Sequence, residues 1–289
     1  MVSVKSASDI EKMMEAGKIA ANALNVVEQK LRPGMTTKDI DKIVHHEITS
    51  HGATPSFLGL YGFPGSACVS VNEEVIHGIP GSRRLNEGDI VSVDLGAHYK
   101  GFHSDTCFTF AVGQAAPEVR KLLEDTNQSL YEAINAVQVG ARLGDISHTV
   151  EQYCRDRGYG IVKQYCGHGI GREVHEDPEV PNHGKAGHGM RLIEGMTFCI
   201  EPMINLQGDG VHTLENGWTV VTDSGSCSAH FEHMILVTAN GPVITWTLMW
   251  ALSAQSTPWC GRSRAEMTVT LVCVPPTRKC TSASGQSKT

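Results

Sequence analysis

The feature that most constrains this chain is an internal echo. The run Gly34-Met-Thr-Thr-Lys-Asp39-Ile40 returns as Gly140-Ala-Arg-Leu-Gly-Asp145-Ile146, an offset of 106 residues. The same offset carries Leu24 onto Leu130, Val44 onto Val150 and Gly52 onto Gly158. Glu87-Gly88 returns as Glu194-Gly195 at an offset of 107, and that register sets Asp94 against Glu201. Agreement across helix, turn and strand segments with one residue of slippage marks a duplicated unit. Such a chain folds as two related halves, each ending in strands that present a carboxylate.

Within the first half, Ser8 and Glu11 fit a capping box. Ile10, Met13, Met14, Gly17, Ala20, Ala21, Leu24, Val27 and Leu31 then keep helical spacing, until Arg32-Pro33-Gly34 stops it. A second helix is expected from Thr37 to near Gly52, with Ile40, Ile43, Val44 and Ile48 on one face. Ala67–Val71, Ile90–Leu95 and Thr106–Val112 are rich in β-branched and aromatic residues and read as antiparallel strands. The class is α+β. The expected organisation is one catalytic domain over 1–245, with halves of about 8–113 and 114–245. Residues 246–289 hold three of the four tryptophans and five basic residues to one acidic, with no persistent period. They read as an atypical, poorly ordered C-terminal tail.

Composition narrows the function. The net charge of −7 argues against wrapping nucleic acid. No apolar run approaches a membrane span, and residues 1–9 lack a signal-peptide core, so a cytoplasmic location is expected. Nine cysteines without a Cys-x-x-Cys pair read as free thiols. Fourteen histidines raise the question of a metal. His45, His46, His51, His148, His183 and His188 read as surface residues, whereas His103, His230 and His233 flank more telling positions.

Those positions are Asp94, Asp105, His168, Glu201 and Glu232. Each lies in an apolar or glycine-rich run, such as Ile90-Val-Ser-Val-Asp94-Leu or Phe198-Cys-Ile-Glu201-Pro. A carboxylate in an apolar strand is costly unless paired or bound to metal. A single one is explained by facing water or an arginine. Four together, with few basic residues beside them and a glycine-flanked histidine, suit two divalent cations of the Mn, Fe(II), Co or Zn kind. Such ions would activate water for hydrolysis.

The strings Asn72-Glu-Glu-Val-Ile-His77-Gly-Ile-Pro, Gly167-His168-Gly-Ile-Gly-Arg172, His175-Glu-Asp-Pro, Met196-Thr-Phe-Cys-Ile-Glu201-Pro-Met and Ser228-Ala-His-Phe-Glu232-His, with Asp94 and Asp105, resemble type I methionine aminopeptidases over roughly residues 5–245. The resemblance implies the pita-bread (creatinase/aminopeptidase) fold, with a curved antiparallel sheet and outer helices. It implies that Asp94 chelates one metal, that Asp105 and Glu232 bridge both, and that His168 and Glu201 complete the second site. Glu201 would also shuttle the proton, His175 would donate to the scissile amide, and His77 would contact the substrate backbone. Phe57, Leu60, Phe63, Cys68 and Trp218 would line an apolar pocket for the methionine side chain. Leu60 and Phe63 stand where tyrosine is frequent in the family, and Val174 where phenylalanine is. A monovalent cation would sit near Asn72, Glu74 and Ser228.

The activity implied is removal of the initiator methionine from nascent chains whose second residue is small. The enzyme would act as a monomer in transient contact with the ribosome. Prolidases and proline-directed aminopeptidases share the five ligands but usually carry an added N-terminal domain, for which this chain leaves no room. Type II enzymes carry a long insertion, whereas His168 and Glu201 here lie 33 residues apart. A noncatalytic binding protein on this fold would have lost ligands that are all present here.

Overall fold

The computed structural model describes residues 2–245, so the expectation for the 246–289 tail lies outside the described residues. Four long helices come in two pairs: α1 (Ala7–Lys30) with α2 (Thr37–Ser50), and α3 (Pro117–Asn135) with α4 (Leu143–Arg155).

Helix α1 begins earlier than the Ser8–Glu11 reading, because Ser6 and Asp9 form the capping box. The Ser6 hydroxyl accepts from the Asp9 N–H at 3.3 Å, and the Asp9 carboxylate accepts from the Ser6 N–H at 3.2 Å. Aspartate reciprocates here as glutamate would, and it sets negative charge against the positive end of the helix dipole. Thr36 and Asp39 repeat the device at α2. In α4 the Asp145 carboxylate accepts from the Arg142 N–H at 2.8 Å. Asp39 and Asp145, matched at an offset of 106, thus both cap helices. Gly34 and Gly140 carry φ of +88° and +91°, a turn conformation that side chains resist. The apolar matches hold as well: Leu24 with Leu130, Ile40 with Ile146 and Val44 with Val150 are all fully buried.

An eight-stranded sheet joins the halves. Its order runs Glu176–Val180, Gly167–Gly169, Thr197–Ile200, Glu232–Thr238, Thr106–Ala111, Ile90–Leu95 and Cys68–Val71, and Gly241–Ile244 pairs the far end of Glu232–Thr238. The named pairings are antiparallel. The strands expected at Ala67–Val71 and Thr106–Val112 are each one residue shorter than read. The halves meet where Glu232 and His233 pair with Cys107 and Thr106.

Each half has its own core on the helix side of the sheet. Val91, Val93 and Leu95 pack with α1 and α2, while Phe198, Ile200, Ile235 and Val237 pack with α3 and α4. Strand alternation therefore turns Asp94, Cys199, Glu201, Glu232 and Met234 to the opposite face. Two copies of one architecture thus aim their carboxylates at a shared seam.

Candidate metal centre

The seam sets its groups along one rung of the sheet. Cys68 stands opposite Asp94, Asp94 opposite Cys107, and Cys107 opposite Glu232. Neighbouring strands lie roughly 4.8 Å apart, so Asp94 and Glu232 approach over the small Cys107 side chain. Asp105 immediately precedes the Thr106–Ala111 strand, and Glu201 immediately follows Thr197–Ile200. Asp105, Glu201 and Glu232 are all buried.

Burial is the chief cause that pushes these carboxyls up. Asp94 rises to about 7, and Asp105, Glu201 and Glu232 rise well above the ordinary carboxylate range. For the latter three, the negative charges of neighbouring carboxylates add to the rise. Asp94 Oδ1, Asp105 Oδ1 and Glu232 Oε1 are sealed from solvent without a hydrogen-bond partner. Buried acidic oxygens left in that state call for a cation. The donor set fits a hard or borderline divalent ion.

His168 completes it. Its Nδ1 lies 3.0 Å from the Gly169 carbonyl, and its Nε2 lies 3.7 Å from Asp105 Oδ2 and 3.6 Å from Glu201 Oε1. An Nδ1–H donated to that carbonyl leaves the Nε2 lone pair facing the carboxylates, the tautomer a metal needs. Burial lowers the imidazole to about 4, so it is neutral at pH 7. The flanking glycines have a steric reason. A Cβ on Gly167 would stand 2.3 Å from the Cys199 carbonyl oxygen, and one on Gly169 would stand 2.1 Å from that of Asp177.

The structure brings the other expected residues to the same place. The His175 ring lies 4.4 Å from that of His168. His77 holds φ of +57° and is lowered by burial to about 4. Its ring meets those of Tyr165 at 5.8 Å and Trp218 at 6.4 Å. Phe57, Phe63, Cys68 and Val174 form one buried apolar cluster, with Leu60, Ile79 and Trp218 packed against it. Cys68 belongs both to this cluster and to the rung facing Asp94, so cluster and carboxylates share a wall.

At the expected monovalent site, the Asn72 carbonyl accepts from the Ser228 N–H at 2.9 Å. The Glu74 carboxylate is taken by the Val71 N–H and Arg83, so backbone oxygens are what that corner offers a cation. His183 departs from its surface reading. It is half-buried, with Nδ1 sealed and unpaired.

Three neighbours, Cys199, Asn182 and Tyr61, are not singled out by the sequence, and a fourth, His230, is marked there only as flanking an expected ligand. Cys199 offers a sulfur in a group with Asp105, His168 and Glu232 whose donor atoms all lie within 4.8 Å of one another. Its position two residues before Glu201 could have signalled the shared face. Asn182 donates to the Glu201 carbonyl at 3.0 Å. His230 Nε2 lies 3.9 Å from Glu201 Oε2. Tyr61, 76% exposed at φ +51°, stacks on His175 at 6.0 Å.

Residues 11–239 match the model of metallopeptidase family M24. A methionine aminopeptidase of Clostridium perfringens is 50% identical over 244 residues, 84% of this chain and 98% of the relative. Methionine aminopeptidase 1 of Bacillus subtilis is 44% identical, with 83% of this chain and 97% of the relative covered. The crystal structure of a methionine aminopeptidase from Thermotoga maritima superposes with a TM-score of 0.84 at 43% identity, covering 85% of this chain and 99% of that one. A prolidase from Pyrococcus horikoshii shares the fold, with a TM-score of 0.68 at 24% identity, over 84% of this chain and 62% of its own. The expected pita-bread architecture is therefore the observed one. With its divalent-metal chemistry and its duplicated sheet, the chain belongs to metallopeptidase family M24, among the methionine aminopeptidases.

Proposed function

We propose that this protein removes the N-terminal methionine from nascent polypeptides whose second residue is small. The observation that carries this reading is the shared wall. Cys68 sits in the buried apolar cluster that would form the methionine pocket, and it stands opposite Asp94 of the carboxylate cluster. An unbranched thioether fits such a pocket, and its peptide bond then lies at the carboxylates. The loss of tyrosine hydroxyls at Leu60 and Phe63 leaves the wall apolar.

Two divalent ions (Mn, Fe(II), Co or Zn) would be held by Asp94, Asp105, His168, Glu201 and Glu232. When bound they supply Lewis-acid polarisation of the carbonyl and a nucleophilic water at neutral pH. Glu201 takes a proton from the attacking water and delivers it to the leaving amine as the C–N bond breaks. His175, neutral through burial, donates an N–H to the carbonyl oxygen as charge develops there. His77, also neutral, holds the substrate backbone beside the cleaved bond. Residues 1–245 constitute the catalytic unit, which acts as a monomer in the cytoplasm and meets its substrates at the ribosome. A monovalent cation bound by backbone oxygens around Asn72, Glu74 and Ser228 would steady the Ser228–His230 strand that leads into Glu232.

The test is release of free methionine from Met-Ala-Ser by apo protein and after addition of Mn, Fe(II) or Co. Metal-dependent release is expected, with Glu201→Ala slower by about 10²–10⁴-fold. Cleavage of an Xaa-Pro peptide instead would move the chain to the prolidase branch. Bound metal with no cleavage of either peptide, in the full chain and in one ending at Thr245, would overturn the reading.

A further inference from the structure

We propose that His230 is a positioning residue that holds the carboxylate of Glu201, an inference that rests on the reading of Glu201 as the proton carrier. His230 is 2% exposed, yet neither ring nitrogen has a hydrogen-bond partner. A buried imidazole left unpaired on both sides is unfavourable, and packing alone does not require one. A buried histidine ordinarily gives one N–H to a carbonyl, as His168 does to Gly169. His230 does not.

Its main chain is fixed without help from the ring. The Thr109 hydroxyl donates to the His230 carbonyl at 2.7 Å and accepts from its N–H at 3.0 Å. Cys107 Sγ donates to the same carbonyl at 3.4 Å, and Ser92 Oγ lies 2.8 Å from Thr109 Oγ1. This buried lattice sets where the ring stands, and the ring stands at Glu201. His230 Nε2 lies 3.9 Å from Glu201 Oε2, while His168 Nε2 lies 3.6 Å from Oε1. Two imidazoles thus flank the two oxygens of one carboxylate.

Glu201 is anchored at its backbone, where Asn182 donates to the carbonyl at 3.0 Å. What remains to be set is the carboxylate itself. A separation of 3.9 Å is too long for a hydrogen bond, but one side-chain rotation closes it. An Nε2–H donated to Oε2 gives both His230 and Glu201 a partner. It also leaves Oε1 toward His168 and the metal-binding oxygens. Groups of this kind, which orient a ligand without binding the metal, typically change affinity or activity by about 10–100-fold when lost.

The experiment compares His230→Gln, which keeps an N–H donor, with His230→Met, which keeps bulk and loses the donor. In the Mn(II)-loaded full chain, His230→Met is expected to lower kcat on Met-Ala-Ser by about 10–100-fold with KM nearly unchanged. His230→Gln is expected to stay within about threefold of the parent. Calorimetric titration of Mn(II) into apo protein is expected to show the same order, parent and Gln alike and Met weaker. This second readout needs no substrate, so it keeps the inference testable if the proposed activity fails. Equal losses in both variants, or a Met variant with the parent's kcat and Mn(II) affinity, would overturn the proposal. A rise in KM alone would also overturn it, since that is the mark of a substrate contact.

Discussion

Asp94 isolates what a single buried carboxylate costs. Its folded-state value, raised by burial to about 7, stands above the ordinary 3.8 it returns to on unfolding. Between those values the folded protein binds more protons than the unfolded one. Metal-free protein therefore loses stability from this group as the pH climbs through that window. Asn at 94 removes the penalty while keeping the shape. Apo Asp94→Asn is expected to melt at least about 2 °C above the apo parent at pH 7.5, on a scale of roughly 2–4 °C per kcal/mol for a chain of this size. The gain should shrink at pH 5, and metal should no longer raise the Tm of the variant as it does the parent's. A lower Tm for the apo variant at pH 7.5, by scanning calorimetry, would show that the carboxylate is comfortable without a cation. The same anomaly made the site legible in the sequence. Acidic residues inside apolar strands stand out, so Asp94, Asp105, Glu201 and Glu232 could be picked before any fold was known. Cys199 is harder to pick, and Tyr61 is not legible at all. A cysteine in a strand looks like ordinary core, and the left-handed backbone of Tyr61 has no letter in the sequence.

Among the elements, the short Gly167–Gly169 strand bears the narrowest tolerance. It sits between Thr197–Ile200 and Glu176–Val180, and both neighbouring backbones come within contact distance of its glycines. Gly169→Ala would press a methyl against the Asp177 carbonyl and displace His168, one residue away. Gly140→Ala meets no atom within 4 Å and incurs only the strain of φ +91°. Two outcomes are expected. Gly140→Ala lowers stability by about 1 kcal/mol and leaves Mn(II) affinity untouched. Gly169→Ala weakens Mn(II) binding at least about tenfold in calorimetric titration, because the ligand itself moves. Equal Mn(II) affinity in both variants would mean that the strand yields without carrying His168 along. Element boundaries were largely readable, since helix periodicity and strand composition are local properties. The start of α1 was not, because Ser6–Asp9 and Ser8–Glu11 offer the same chemistry two residues apart. The backbone decides between them: Ser6 is extended, at φ −73° and ψ 162°, and the helix starts at Ala7.

At the scale of the whole molecule, the ladder joining the halves is short. Glu232 pairs with Cys107 and His233 with Thr106, supported by the Thr106 hydroxyl donating to the Glu232 carbonyl at 3.1 Å. Each half has its own main apolar core, and Ile90 and Phe108 of the first half also pack into the second. The expected ligands are divided across that seam, with Asp94 and Asp105 from the first half and His168, Glu201 and Glu232 from the second. Metal held by those ligands would fasten one half to the other, and its contribution to stability would follow protonation of the ligands. The sign is fixed by what the cation competes with. Without metal the carboxyls are raised and hold protons toward neutral pH. Binding a cation expels those protons, so metal stabilises less as the pH falls. The buried imidazoles act differently. His77, His168 and His233 are lowered to about 4 by burial, so their neutral form favours folding above the unfolded value of 6.5. That contribution is lost as the pH falls from 6.5 toward 4. In the apo protein the two sets oppose each other, whereas in the loaded protein they act together. The Tm of Mn(II)-loaded protein is thus expected to drop between pH 7.5 and 5.5 more steeply than that of the apo form, and the metal-induced rise in Tm should be larger at pH 7.5. Parallel apo and loaded curves across that range, in calorimetry at fixed free Mn(II), would mean that these carboxylates do not bind the ion, and that the seam is held by its ladder alone.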